Sequence, residues 1–489
     1  MSTPEAALEA PGLPAPHVPD WLDRLGARLA DRVNPIVVKE LRQHLRTKVF
    51  WVFFSLMLLG CLVIAMVASL AADESDKAGL GSFYAFFVAL SGVQHFVIPY
   101  TAYRSMAREQ EDETWVLLSL TGLGPRRILF GKLTSFVLQG ALYASAAAPF
   151  MLFSYYLNGI DLPTIAIALT LGAVFQVFLV SVSVSLATLA ESRLVRGLLH
   201  FVVLGLLGIA SSTGIGIAVA LAEEAPRKFA DPEFWLAIGG GGFAFLTTAL
   251  LLFESAASRL SMPTEPYAAG PRVLFVIQAL GGLAVFVMAW VLDGDDDILM
   301  AGLLAFSLYV AFVGLFIASD RDSMAKNHWA RHARFSLLAP GGLRGFVVVL
   351  LVLLVGISAL VGCFGQEDPR EPGLLNVMLT APSYLLLYLG AAIVIARWIP
   401  HPPWQTPAMV RLVALGLFTI GAGVPPLVGA VVSEGDDRAL NLLNPIVGLV
   451  NVGRDGDLAF THVLVVAALG ALATVAAFLM LLKRDVKWA

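Results

Sequence analysis

Val49-Phe50-Trp51-Val52-Phe53-Phe54-Ser55-Leu56-Met57-Leu58-Leu59-Gly60-Cys61-Leu62-Val63-Ile64-Ala65-Met66-Val67-Ala68-Ser69-Leu70-Ala71 carries no charge anywhere along its length. A helix of about 20 apolar residues crosses the roughly 30 Å hydrocarbon core of a bilayer, so this run is sufficient for one span. It is longer than the apolar core of a signal peptide and lacks a small-residue cleavage pattern, so it is expected to remain as a first span. Runs of the same character recur at 80–103, 128–157, 164–189, 197–221, 234–254, 273–292, 298–318, 345–363, 376–397, 410–432 and 461–482. Short breaker-rich turns separate them, such as Asn158-Gly159-Ile160-Asp161-Leu162-Pro163 and Asp293-Gly294-Asp295-Asp296-Asp297.

Composition points the same way. Of 489 residues 58% are hydrophobic and 14% charged, and the mean hydropathy is +0.80. A water-soluble chain is typically about 25% charged. No polar stretch is long enough to enclose the core of a soluble catalytic domain. The two cysteines, Cys61 and Cys363, lie in apolar runs, which argues against a disulfide framework or a thiolate metal site.

Charge placement sets the expected topology. With the N-terminus inside and twelve alternating spans, 26 of the 32 Lys and Arg residues fall on the inner side and 6 on the outer. The outer loops hold 20 of the 36 Asp and Glu residues. Basic residues are retained on the cytoplasmic side, so both ends are expected there. The chain is thus read as an all-α integral membrane protein of about twelve transmembrane helices, N-in and C-in, in two six-helix halves. Residues 1–20, rich in Ala and Pro, read as a disordered tail. Residues 21–48 form an amphipathic entry segment, 49–254 a first six-helix domain, 255–272 a linker, 273–482 a second six-helix domain, and 483–489 a basic tail.

Two inner segments carry more than topology. In Asn34-Pro35-Ile36-Val37-Val38-Lys39-Glu40-Leu41-Arg42-Gln43-His44-Leu45-Arg46, Asn34 suits an N-cap and Pro35 the first helical position. Val33 can staple onto Val38. Val37, Leu41 and Leu45 repeat every fourth residue while Lys39, Arg42 and Arg46 gather on another side, a pattern suited to the headgroup layer. In Arg108-Glu109-Gln110-Glu111-Asp112-Glu113-Thr114-Trp115-Val116-Leu117-Leu118-Ser119-Leu120-Thr121, four acids in five residues stand on the basic side. Taken alone, the run reads as a solvated acidic loop. The alternative is the start of a short helix, where the positive end of the helix dipole suits acids; a surface helix with acids and Trp115 is one that another protein can dock on.

The motif Asn-Pro-Ile-x-x-Lys-Glu-Leu-Arg before the first span resembles the opening of ABC exporter permeases of the second type. So does Arg-Glu-x-Glu-x-x-Thr-x-x-Leu-Leu-x-x-Thr, followed by Ile-x-x-Gly-Lys at 128–132 entering the third span. The family's usual small residue before the Thr is Glu113 here. The resemblance covers about the first half of the chain. It implies an elbow helix with Asn34, Pro35, Lys39, Glu40 and Arg42. It further implies a coupling helix, resting on a separate ATPase subunit, with Arg108, Glu109, Glu111, Asp112, Glu113, Thr114, Trp115, Leu117, Leu118 and Thr121, and an entrance to the third span at Gly131 and Lys132. The acids at 109–113 would meet basic groups on the ATPase. In the second half, Ser323-Met324-Ala325-Lys326 matches Ser105-Met106-Ala107-Arg108, and at the same offset Gly342 and Arg344 match Gly124 and Arg126. That alignment suggests a duplicated six-plus-six architecture with a degenerate second copy.

This chain cannot bind ATP by a P-loop: Gly131-Lys132 is followed by Leu133, and Arg126 stands where the first glycine belongs. His328 and His332 are four apart without the metalloprotease Glu, and Asp293 to Asp297 lacks the calcium-loop pattern. Gln94, His95, Gln139, Gln176, His200 and Gln278 lie within spans and are candidate pathway residues, with interhelical packing bonds as the alternative. Asn441-Leu442-Leu443-Asn444-Pro445-Ile446 is apolar but too short to span, and is read as re-entrant or interfacial, with a surface loop as the alternative.

The resemblance implies the permease subunit of an ATP-driven exporter in the inner membrane. ATP and Mg would belong to the partner ATPase, and this chain would hold no cofactor, metal or catalytic residue. Its other partners would be lipid and a second permease or its own copy, and no nucleic acid. The alternatives are a non-transporting membrane scaffold with an exporter-like fold and an ion-coupled carrier. The lack of paired charges deep in any span argues against the carrier.

Overall fold

The computed structural model describes residues 35–71, 78–112, 124–189, 193–261, 267–320, 337–364, 372–398, 406–432, 440–454 and 456–488. Asn34, the Val33 staple, Glu113, Thr114, Trp115, Leu117, Leu118, Thr121, Ser323–Lys326, His328, His332 and the tail 1–20 lie outside them. Every described element is helical. The helices are α1 (Pro35–Leu45), α2 (Lys48–Ala71), α3 (Ala78–Glu111), α4 (Pro125–Tyr156), α5 (Leu162–Ala187), α6 (Arg193–Lys228) and α7 (Pro232–Leu260). There follow α8 (Ala269–Asp293), α9 (Asp296–Ala318), α10 (Gly342–Phe364), α11 (Pro372–Trp398), α12 (Pro407–Val432), α13 (Val447–Arg454) and α14 (Gly456–Trp488).

Among the described residues, twelve helices are long and apolar enough to cross a membrane: all of these except α1 and α13. Their outward surfaces are apolar: Leu70 is 74% exposed, Phe201 79% and Leu194 84%. Apolar cover this extensive is incompatible with water and fits a multi-pass membrane protein. Prolines mark the helix starts at Pro35, Pro125, Pro163 and Pro232, where a missing N–H costs nothing. Asn158 and Gly159 turn α4 into α5 with φ of 63° and 99°. At the α8–α9 turn Gly294 takes φ 75°, and the Asp295 carboxylate accepts from the Asp297 N–H at 3.0 Å. The acidic 293–297 turn is therefore a helix cap.

Buried apolar side chains fall into two clusters, one from Phe50 to Ala257 and one from Phe275 to Leu481. The pairing of helices is the same in both. In the first set α2 packs on α3 and α4; α3 on α4, α5 and α6; α4 on α5 and α7; and α5 on α6 and α7. In the second set α8 packs on α9 and α10; α9 on α10, α11 and α12; α10 on α11 and α14; and α11 on α12 and α14. The sets join where α7 packs on α8. Gln278 of α8 ties this seam, donating to Thr248 Oγ1 of α7 at 2.5 Å and accepting from Tyr309 of α9 at 2.9 Å. The 440–454 segment forms a 3₁₀ turn at Leu440–Leu443 followed by α13, and packs against α11, α12 and α14.

Arg272, at the start of α8, is the largest fully buried side chain. Its guanidinium donates to the carbonyls of Leu337 (2.7 Å), Ala339 and Gly341 (2.9 Å), and to Asp320 Oδ2 at 2.8 Å. One side chain thus fastens the ends of α8 and α9 and the entrance to α10. Removing one partner of a buried charged network typically costs about 3–5 kcal/mol. Arg272→Met is expected to lower the unfolding midpoint in detergent titration markedly, and more than Gln278→Leu does; equal midpoints would show that the buried charge is not structurally required.

Candidate functional site

Sequence places Glu40, Glu109 and Lys132 in three separate segments, and the fold brings them together. α1 packs on α4 with Ile36, Val37 and Glu40 inward, so the buried face of this helix includes a carboxylate rather than the Val37/Leu41/Leu45 stripe alone. Lys132 lies on the inward stripe of α4 between Ile128 and Phe136, and is 2% exposed. Its ammonium sits 3.3 Å from Glu40 Oε2 and 2.6 Å from Glu109 Oε1. Two carboxylates from α1 and α3 are thereby held on one buried cation of α4.

His44 lies one turn after Glu40, with Nε2 at 3.8 Å from Glu40 Oε2, and its ring stacks on Phe136 at 4.4 Å. Burial pushes its pKa below 6.5, with Lys132 acting the same way, against the pull of Glu40. The neutral imidazole is therefore the resting form at pH 7.

The acids 109–112 do not open a short helix. Glu109 and Glu111 occupy the last turn of α3, which runs unbroken from Ala78 to Glu111. The negative end of the helix dipole disfavours carboxylates there. Internal cations offset that: Lys132 binds Glu109, and Arg196 of α6 binds Glu111 at 2.9 Å. Arg108, Glu111 and Asp112 are exposed on this end of the bundle, as are Lys39 and Arg42 of α1. At the same end Arg126, at the start of α4, binds Glu254 near the end of α7 at 2.8 Å. Four helices and the α1 entry segment are thus joined by charge at one end of the first set.

The candidate pathway residues separate into groups. In α3 a π turn at Gly92–Val97 precedes Pro99, and the Ile98 N–H reaches back to Val93 O. The wider turn accommodates the proline and carries Gln94 and His95 into the core. Gln94 Nε2 donates to Gln176 Oε1 at 2.9 Å, and Gln176 Nε2 donates to Phe136 O at 3.1 Å. Gly140 makes room for this amide, because a Cβ there would strike Gln176. His95 bridges Ser91 Oγ (2.8 Å) and Gly172 O (3.0 Å). Gln139 is buried with its Oε1 unpartnered among the described residues. His200 meets Arg196 O and Tyr103 near the charged end, and Gln278 lies at the seam between the sets, away from the others.

Sequence reasoning grouped Glu40 with the elbow and Lys132 with the span entrance, and missed their pairing. The available signal was a lysine on an apolar stripe, which needs a buried counter-charge. Ser91, Arg272 with Asp320, and Tyr384 with His462 were likewise missed, since each gains meaning only from a distant partner.

Lys132→Met is expected to lower the thermal midpoint of the purified chain by several degrees, because it removes the buried cation that Glu40 and Glu109 share. Adding Glu40→Gln and Glu109→Gln should restore most of it, as neutral side chains leave no buried unpaired charge; a triple variant as unstable as the single one would show that volume, not charge, matters. Below pH 6.5 the unfolded state takes up the His44 proton more readily than the folded state. Stability should therefore fall as the pH drops below 6.5, and His44→Phe should flatten that part of the midpoint-against-pH curve. No protein family, no curated protein and no solved structure matches this chain.

Proposed function

We propose that the chain is the transmembrane permease subunit of an ATP-driven exporter, with a separate ATPase subunit seated against the end of the bundle that carries α1, Arg108 and Asp112. The observation that carries this reading is the convergence of Glu40, Glu109 and Lys132. The resemblance gives these residues to the elbow, the coupling segment and the entrance to the third span, the parts through which such an exporter transmits force. A buried ion network among them lets movement at one be felt by the others.

In this reading both chain ends and the charged end of the bundle face the cytoplasm, in accord with the basic loops. The membrane is the inner membrane. The two sets are copies in a parallel repeat, supported by their matching helix pairs and by Gly124 and Gly342, which stand at the starts of α4 and α10. A second permease or a second copy of the chain completes the assembly. ATP and Mg stay with the partner. Lys132 holds Glu109 and Arg196 engages Glu111, so among residues 108–112 the exposed Arg108 and Asp112 would face the ATPase.

Affinity purification of the tagged chain from native membranes in mild detergent tests this. A stoichiometric ATPase is expected, lost in Arg108→Glu with Asp112→Lys while insertion and yield are unchanged. A clean preparation without any ATPase, from membranes where the chain is abundant, would transfer the assignment to a membrane scaffold.

A further inference from the structure

The two sets differ at the end opposite the Lys132 network. In the second set the connection between α12 and α14 is long, and its apolar segment 440–454 lies against α11, α12 and α14. It is fastened there. Tyr384 and Tyr388 of α11 donate to Leu442 O (2.7 Å) and Leu443 O (2.6 Å), and His462 of α14 meets Tyr384 at 2.8 Å. Asn444 donates to Ala422 O of α12 at 3.1 Å and is fully buried. In the first set the counterpart helices are α5, α6 and α7, and only residues 229–231 join α6 to α7. Between these helices and α3, at the corresponding end, lies a cavity of about 380 Å³.

The cavity has the character of a receptor for a hydrocarbon chain. Phe87, Phe175 and Phe245 wall it, and Gly241 and Gly242 widen it on the α7 side. His95 also lines it, with both ring nitrogens already engaged by Ser91 Oγ and Gly172 O, so it presents no unmet polar atom. The lining also includes Glu224 near the end of α6, which pairs with Lys228 at 2.5 Å, so both signs of charge are available there to a polar group. Along α7 the lining runs from Phe234 to Phe245, about 16 Å at 1.5 Å per residue. That is close to half of the roughly 30 Å hydrocarbon core, the depth one lipid chain occupies. The volume falls within the range of about 300–1,000 Å³ usual for small-molecule sites.

We propose that this cavity binds the hydrocarbon chain of an amphiphile, whose polar end rests at Glu224 and Lys228, in the position that the chain's own 440–454 segment fills in the second set. The amphiphile is a membrane phospholipid or a free single-chain compound; both present the same chain. This site stands on its own geometry and does not depend on an ATPase or on transport.

The test uses the purified full chain in vesicles containing either a diazirine-bearing phosphatidylcholine or a diazirine-bearing fatty acid, with adducts mapped by peptide mass spectrometry after illumination. Adducts are expected on the 168–175, 214–224 and 234–245 stretches. They should fall at least fivefold in Gly241→Leu with Gly242→Leu, where an added Cβ meets no atom within 4 Å, so the leucines grow into open space. Gly423→Leu, an equally unobstructed change on α12, should leave them unaltered. Labelling by only one probe assigns the source as membrane lipid or free amphiphile, and either result supports the site. Adducts confined to the lipid-facing surfaces of α2 and α6, or labelling of the cavity unchanged by the paired leucines, would overturn it.

Discussion

Hydrocarbon offers no hydrogen bonds. Each backbone N–H and C=O inside a bilayer has to be satisfied within the protein, and a helix does this within its own segment. The helical character of every described element follows from that constraint, and so does the selective use of polar side chains. Where Pro99 removes one backbone donor from α3, a π turn compensates, and its wider geometry is what brings Gln94 and His95 to the α5 interface. Each then finds partners, because an unmet polar group in apolar surroundings costs several kcal/mol.

Charge obeys the same constraint more severely. Lys132, Glu40 and Glu109 are tolerated together because the two carboxylates and the ammonium neutralise one another's desolvation cost in part. Arg272 meets the same demand differently, with three carbonyls and one carboxylate. Both clusters sit at helix ends rather than at mid-span, and both tie flanking structure to the bundle. The first binds an entry helix and the end of α3 to α4. The second binds the α9–α10 connection to α8. The two sets thus use different chemistry at related places within one pattern of helix pairing.

Matching helix pairs do not oblige the two sets to do the same work. Their helix pairs match, yet the opposite end is filled by the chain's own apolar segment in one and left as a cavity in the other. Closing a space with covalently attached residues makes occupancy permanent. Leaving it open makes occupancy depend on what the membrane supplies.

The spans were legible from the sequence because crossing a bilayer is a local property: length and apolarity of a single run decide it, and the run from Val49 to Ala71 needs no partner to qualify. Pro35 at the start of α1 was legible for the same reason, since the helix start involves only neighbours in sequence. The place of Glu109 and Glu111 in the last turn of α3 was not legible, because Lys132 and Arg196, which stabilise them there, are distant in sequence. The partnership of Glu40 with Lys132, the closing of Gln94 on Gln176 and the difference between corresponding ends of the two sets required the packed bundle. A side chain's nearest charge, donor or void across a helix interface is fixed by rotation and depth of both helices, which no single apolar run encodes.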